Sequence, residues 1–268
     1  MNLHSDKWIM DRVQEHYNES LERFPEDRIV GIFLQGSQNY GLDYEDSDID
    51  TKLIITPTFK DIAMNHKAVS TTHIRANDEH IDFKDIRLYI QTFRKQNLNF
   101  LEILFTHYAI INPLYKSEWD RLVEHREEIA HYNLVQAIKS MRGIAKEKYF
   151  AMEHKYPSRM EWINKFGYDP KQLHHLLRVE EYIHRYISGE PYSLCLYPRK
   201  PFYLKDVKRG CHSLEDARVL ADKAIEHIDE MCDKFLKTCS NESNQEVDEL
   251  LNDVQYNIMK TAIQKEIM

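Results

Sequence analysis

The 268-residue chain reads as an α+β protein, a small mixed-sheet domain followed by an all-helical one. Three observations predict this. Ile29–Leu34 and Asp50–Thr56 are short apolar runs of strand length, the second stopped by Pro57. Thr71–Arg75 and His80–Lys84 flank the turn-forming Ala76-Asn77-Asp78-Glu79, as a hairpin requires. From Ser117 onward apolar residues recur at helical spacing instead, with turn-rich breaks at 154–170 and 188–212.

Taken in order, residues 7 to 24 carry a helical stripe of Trp8, Ile9, Val13, Tyr17, Leu21 and Phe24, ended by Pro25. After the two strands and the hairpin, Asp85–Gln96 turns helical, with Ile86, Tyr89, Ile90 and Phe93 on one side. The last 55 residues form two amphipathic helices, Leu214–Lys237 and Glu246–Ile267, around the polar break Ser240-Asn241-Glu242-Ser243. The expected domains are 1–112, a sheet with an N-terminal helix, and 113–268, all helical.

Bulk properties exclude several classes. A net charge of −8 argues against wholesale coating of nucleic acid, which needs Lys and Arg on the phosphates, but leaves room for a local basic patch. No apolar run approaches the ~20 residues of a membrane span, and the N-terminus lacks a charged-then-apolar leader, so a cytoplasmic protein is expected. Cys195, Cys211, Cys232 and Cys239 have no metal-ligand spacing and read as reduced thiols. His66, His73 and His80 are too loosely spaced for a zinc site.

The chemistry concentrates between residues 35 and 50. Gly36-Ser37 closes the first apolar run, and Ser47 introduces Asp48 and Asp50, which lead into the second. Both carboxylates fall on one face of a strand of period two. Side by side in an apolar setting they repel, unless a divalent cation sits between them. A glycine turn beside them offers backbone N–H groups and a hydroxyl to phosphate oxygens. Asp82 alternates with apolar Ile81 and Phe83 and is the expected third carboxylate; Asp85 is the rival, at a position suited to a helix N-cap. Glu102 reads as structural.

Gly36-Ser37, Tyr40-Gly41-Leu42 and Ser47-Asp48-x-Asp50 resemble the signature of the DNA polymerase β superfamily of nucleotidyltransferases. The Tyr-Gly-Leu insertion is closest to the branch described as predicted RNA-repair-pathway nucleotidyltransferases. Asn97–Leu104 is similar to that branch's Asn-Pro-Asn-x-x-Glu-x-Leu stretch, and Tyr168–Arg178 to its Asp-x-Lys…His-x-x-Arg helix. The resemblance spans roughly residues 28 to 235. It implies a polymerase β-like fold, Mg²⁺ or Mn²⁺ as cofactor, an NTP as substrate, and an RNA or tRNA 3′ end as acceptor.

On this reading Asp48, Asp50 and Asp82 bind metal and catalyse, and Gly36, Ser37 and Tyr40 contact the nucleotide, Tyr40 by stacking on a base unless it simply packs. Lys171, His175 and Arg178, at i, i+4 and i+7, share one helical face and are expected to complete the phosphate site from the helical domain. A basic, aromatic stretch from Tyr197 to Arg209 is a weaker candidate for RNA contact, through Arg199, Lys205 and Arg209. The expected activity is transfer of a nucleoside monophosphate to an acceptor hydroxyl with release of pyrophosphate. Transfer to a protein side chain or small molecule, and nucleotide binding without turnover, stay open, as do the NTP used and the oligomeric state.

Overall fold

Alternating strand and helix patterns in the first half of the chain resolve into one five-stranded sheet. The structure, a computed structural model, describes residues 3–268. The strands are β1 (Ile29–Gln35), β2 (Asp50–Ile55), β3 (Ser70–Ile74), β4 (His80–Asp85) and β5 (Ala109–Ile111). Their order is β3-β4-β2-β1-β5. The β2–β4 pair is parallel; the other neighbours are antiparallel. Sheet and helices together make the chain α+β, as the sequence predicts. β5 was not expected, because three residues of moderate apolarity carry no period.

One face of the sheet is sealed by the helix Asp6–Leu21. Its Ile9, Val13 and Tyr17 pack with Ile32, Leu34, Leu53, Ile81 and Phe83 in one buried cluster. The helix starts on Ser5, whose side chain accepts from the Trp8 N–H, and so satisfies one of its unpaired first-turn donors. The opposite face carries Asp50 and Lys52 of β2, and Phe33 of β1, whose ring lies 4.2 Å from Trp119 in the helix Lys116–Glu124.

The chain divides into two compact units, Met1–Tyr132 with Ser243–Met268, and Asn133–Glu242. This differs from the expected 1–112 and 113–268. Lys116–Glu124 belongs to the sheet unit because Trp119 is buried on β1. The last helix, Gln245–Ile267, returns to that unit too. It buries Val247, Leu251, Val254 and Ile258, and its Asp248 accepts from Arg94 Nε at 2.7 Å. An amphipathic stripe states that a helix packs, not on what.

The second unit is helical throughout, and its centre is Pro170–Ile187. That helix packs against Leu134–Ala151, Pro201–Lys208 and Leu214–Leu236, burying Leu173, Leu176, Val179, Tyr182 and Ile183. Asp169 caps it, accepting from the Lys171 N–H, with the Arg159 guanidinium on both carboxylate oxygens at 2.7 Å. Pro170 at its first position suits a helix start. The four cysteines form no disulfide. Among the described residues no helix is long and apolar enough to cross a membrane.

Candidate functional site

The end of β1 and the start of β2 lie side by side, because Gln35 pairs with Asp50 in the antiparallel register. The chain therefore turns at Gly36-Ser37 beside the aspartates. Gly36 has φ 109° and ψ −158°, a region open essentially to glycine, so the sharp exit from β1 needs that residue. Ser37–Tyr40 then form a short 3₁₀ turn, closed by Gly41 in the left-handed conformation.

Polar side chains hold this turn. Gln38 is buried and donates to the backbone carbonyl of Asp48 at 2.8 Å. Asn39 donates to the Leu34 carbonyl and accepts from Thr106 Oγ1 at 2.6 Å. The glycine turn and the aspartate segment are thus one hydrogen-bonded unit. Neither Gln38 nor Thr106 has a local signal in the sequence; their partners lie 10 and 67 residues away.

Asp50 is half-buried and Asp48 exposed. Burial raises the Asp50 carboxyl above its ordinary value, the nearby Asp48 charge raises it further, and two bonds from His80 oppose the shift. Those bonds come from the His80 N–H at 2.9 Å and its ring Nδ1 at 3.0 Å, both to Oδ1. The other oxygen, Oδ2, takes no hydrogen bond among the described residues. Two mutually repelling carboxylates with a free oxygen are hard donors of the kind Mg²⁺ and Mn²⁺ accept. Asp48 and Asp50 fit such an ion.

Beside them sits a third carboxylate that the sequence disguised. Glu79 reads as a turn residue, yet it is 4% exposed. It accepts from Arg12, from Arg75 at 2.7 Å and from the Ile49 N–H at 3.3 Å, and it faces His16 Nε2 at 3.0 Å. Burial alone would raise its pKa, but the hydrogen bonds from His16, Asn77 and Arg12 outweigh it and hold the carboxyl at about 2. The Glu79-His80 dipeptide therefore clamps Ile49-Asp50 at three points, through the Glu79 carboxylate, the His80 N–H and the His80 ring.

Asp82 lies on the same sheet face as Asp50, as its alternation predicts, but is not gathered with the other two. It pairs in register with Lys52, whose Nζ donates to Oδ2 at 3.1 Å. Thr72 Oγ1 approaches Oδ1 at 3.4 Å. Among the described residues, no three His, Cys, Asp or Glu side chains form a metal-donor group. Asp85, the rival, caps the helix Ile86–Arg94 through the Arg87 N–H and pairs with the Arg87 guanidinium, so it serves that helix.

Tyr40 is buried, and its hydroxyl donates to Glu102 Oε2 at 2.5 Å. It packs and does not present a face for a base. Glu102 is structural, as expected. Tyr40→Phe is accordingly expected to lower stability by about 1 kcal/mol in chemical denaturation, because it removes one hydrogen bond to a buried carboxylate. Nucleotide affinity, measured by fluorescence titration, should stay within about threefold.

In the helical unit, Lys171 is exposed while His175 and Arg178 are partly buried. Burial, reinforced by His174, Arg178, Lys171 and Lys148, pushes His175 well below its ordinary value. The ring is neutral near pH 7 and adds no charge to the row, so the positive charge on this face comes from Lys171 and Arg178. His174 is inward and held at about 3 by burial, its Nδ1 2.7 Å from the Leu204 carbonyl oxygen. Arg199 pairs with Glu190 and lines a cleft of about 350 Å³ with Leu177, Glu181, His184, Tyr203 and His227. Lys205 and Arg209 lie one helical turn apart near the end of Pro201–Lys208 and are not part of that cleft.

No protein-family model matches the chain, and no curated protein matches it. Among solved structures, it is similar to the crystal structure of a nucleotidyltransferase-like protein from Exiguobacterium sibiricum 255-15. The likeness covers 85% of this chain and 78% of that one, at 12% identity and a TM-score of 0.32.

Proposed function

We propose that this chain is a divalent-cation-dependent nucleotidyltransferase that moves a nucleoside monophosphate from an NTP to an acceptor hydroxyl and releases pyrophosphate. One observation carries the reading: two carboxylates that repel each other, those of Asp48 and Asp50, stand on a segment whose backbone is hydrogen-bonded to a glycine turn where adjacent strands meet. A protein has little reason to maintain that repulsion unless a cation relieves it.

In this role Asp48 and Asp50 hold Mg²⁺ or Mn²⁺, which, when bound, neutralises charge on the reacting phosphate oxygens. Gly36 and Ser37 offer backbone N–H groups and a hydroxyl to the outer phosphates. Gln38, Glu79 and His80 hold the aspartate segment in place. In the helical unit, Lys171 and Arg178 bind phosphate groups, with neutral His175 beside them as a hydrogen-bond partner. The resemblance of Asn97–Leu104 and Tyr168–Arg178 to the RNA-repair branch extends the proposal to an RNA 3′ end as acceptor. Arg199, Lys205 and Arg209 are the basic residues to test for it.

The test is incubation with each of four α-labelled NTPs, Mn²⁺ or Mg²⁺, and either total tRNA or a protein pool. Label on RNA with stoichiometric pyrophosphate supports the full proposal. Label on protein keeps the reaction and moves the acceptor. NTP binding with no pyrophosphate from any pool would overturn the enzymatic reading.

A further inference from the structure

The strand register separates Asp82 from the cation site by one step. In the parallel β2–β4 pair, Thr51 lies opposite Ile81 and Lys52 opposite Asp82. The β4 residue that engages Asp50 is therefore His80, through its N–H and its ring. Asp82 meets Lys52 instead, and both of its oxygens are in use, Oδ2 by the ammonium and Oδ1 by Thr72.

Lys52 is an unusual neighbour. Its side chain is 4% exposed, against 22% for Asp82. Its Nζ lies 4.1 Å from the centroid of Phe100, and Lys84 Nζ lies 4.3 Å from the same ring. Two ammonium groups thus share one aromatic ring, and only that of Lys52 is paired with the Asp82 carboxylate. That corner already carries excess positive charge, so a dication ligated by Asp82 would be repelled. Moving Asp82 onto an ion would also leave a buried ammonium without its partner, among the most costly arrangements in a protein interior.

Resting on the function proposed above, we infer that Asp82 balances Lys52 and is not a cation ligand. The sheet face takes one divalent ion, at Asp48 and Asp50. Lys52 supplies a fixed second positive charge where a second ion would otherwise sit.

Mn²⁺ binding to the full chain, followed by the electron paramagnetic resonance of the free ion, tests this without turnover, with circular dichroism confirming each variant's fold. The expected result is one ion per wild-type chain and a loss of at least about tenfold in affinity for Asp48→Asn. The double variant Asp82→Asn/Lys52→Met should stay within about threefold of wild type. Lys52→Met alone should gain at least about threefold, or a second ion, because it frees the Asp82 carboxylate; a purely structural ion pair would not move that readout. Two ions in the wild type, or a double variant as weak as Asp48→Asn, would overturn the inference and leave the nucleotidyltransferase reading standing. A wild type that binds no Mn²⁺, or an Asp48→Asn indistinguishable from it, would overturn both.

Discussion

Asp48→Asn is expected to cut nucleotide transfer by about a thousandfold, equivalent to about 4 kcal/mol of barrier at roughly 1.4 kcal/mol per tenfold. Two carboxylates hold the ion in the proposed mechanism, and an amide oxygen cannot replace one of them electrostatically. The same substitution removes the charge that helps raise the Asp50 carboxyl. The cation-free variant should therefore melt no lower than wild type, so its inactivity cannot come from unfolding. Initial rates of pyrophosphate release, paired with thermal melts without metal, check both halves. A variant that is both inactive and markedly less stable would indicate a structural role for Asp48 instead.

The largest stability effect should come from Glu79. Glu79→Ala leaves Arg12, Arg75 and His16 without their shared acceptor, and the loss of one partner from a buried charge cluster typically costs about 3–5 kcal/mol. Glu79→Gln keeps the shape and removes the charge. The carboxyl is held at about 2 against an ordinary value of 4.5. Its folded-state pKa is depressed, so its stabilisation is fully present above about 4.5 and is lost as pH falls toward 2. The shift is worth about 3–4 kcal/mol at ~1.4 kcal/mol per unit. Urea denaturation at pH 7 should thus separate wild type from Glu79→Gln, and the gap should narrow steadily between pH 4.5 and 2. A gap that does not change with pH would mean that the charge of Glu79 contributes nothing. Because Glu79 also holds the Ile49 N–H, Glu79→Ala, which removes that acceptor, should weaken Mn²⁺ binding well below its melting temperature.

What could be read from the sequence is what is local. Gly36, Ser37, Asp48 and Asp50 lie within 15 consecutive residues, and spacing alone brings them together once two strands flank them. The helices were legible because each repeats its apolar period several times over. Long-range pairing left no such trace. That Asp82 meets Lys52 depends on a parallel register between strands 30 residues apart. Tyr40 has the look of a stacking residue until Glu102, 62 positions on, takes its hydroxyl. Glu79 sits in a stretch whose composition says surface turn, and its distant partners Arg12, His16 and the Ile49 N–H leave no trace there. His175 has a basic residue's place in its row, but burial removes its charge.

The return of Gln245–Ile267 to the sheet unit has a consequence for biosynthesis. A ribosome releases residues 133–242, a complete helical unit, before the segment that covers the helices Ile86–Arg94 and Lys116–Glu124 has been made. For that interval the nascent sheet unit shows water the apolar surface that Val247, Leu251, Val254 and Ile258 will later occupy. The helical unit can fold as it emerges, while the aspartate-bearing unit finishes last. Premature termination between residues 133 and 242 would yield a chain with the glycine turn and both aspartates present and their scaffold uncapped, a natural client for chaperones and proteases.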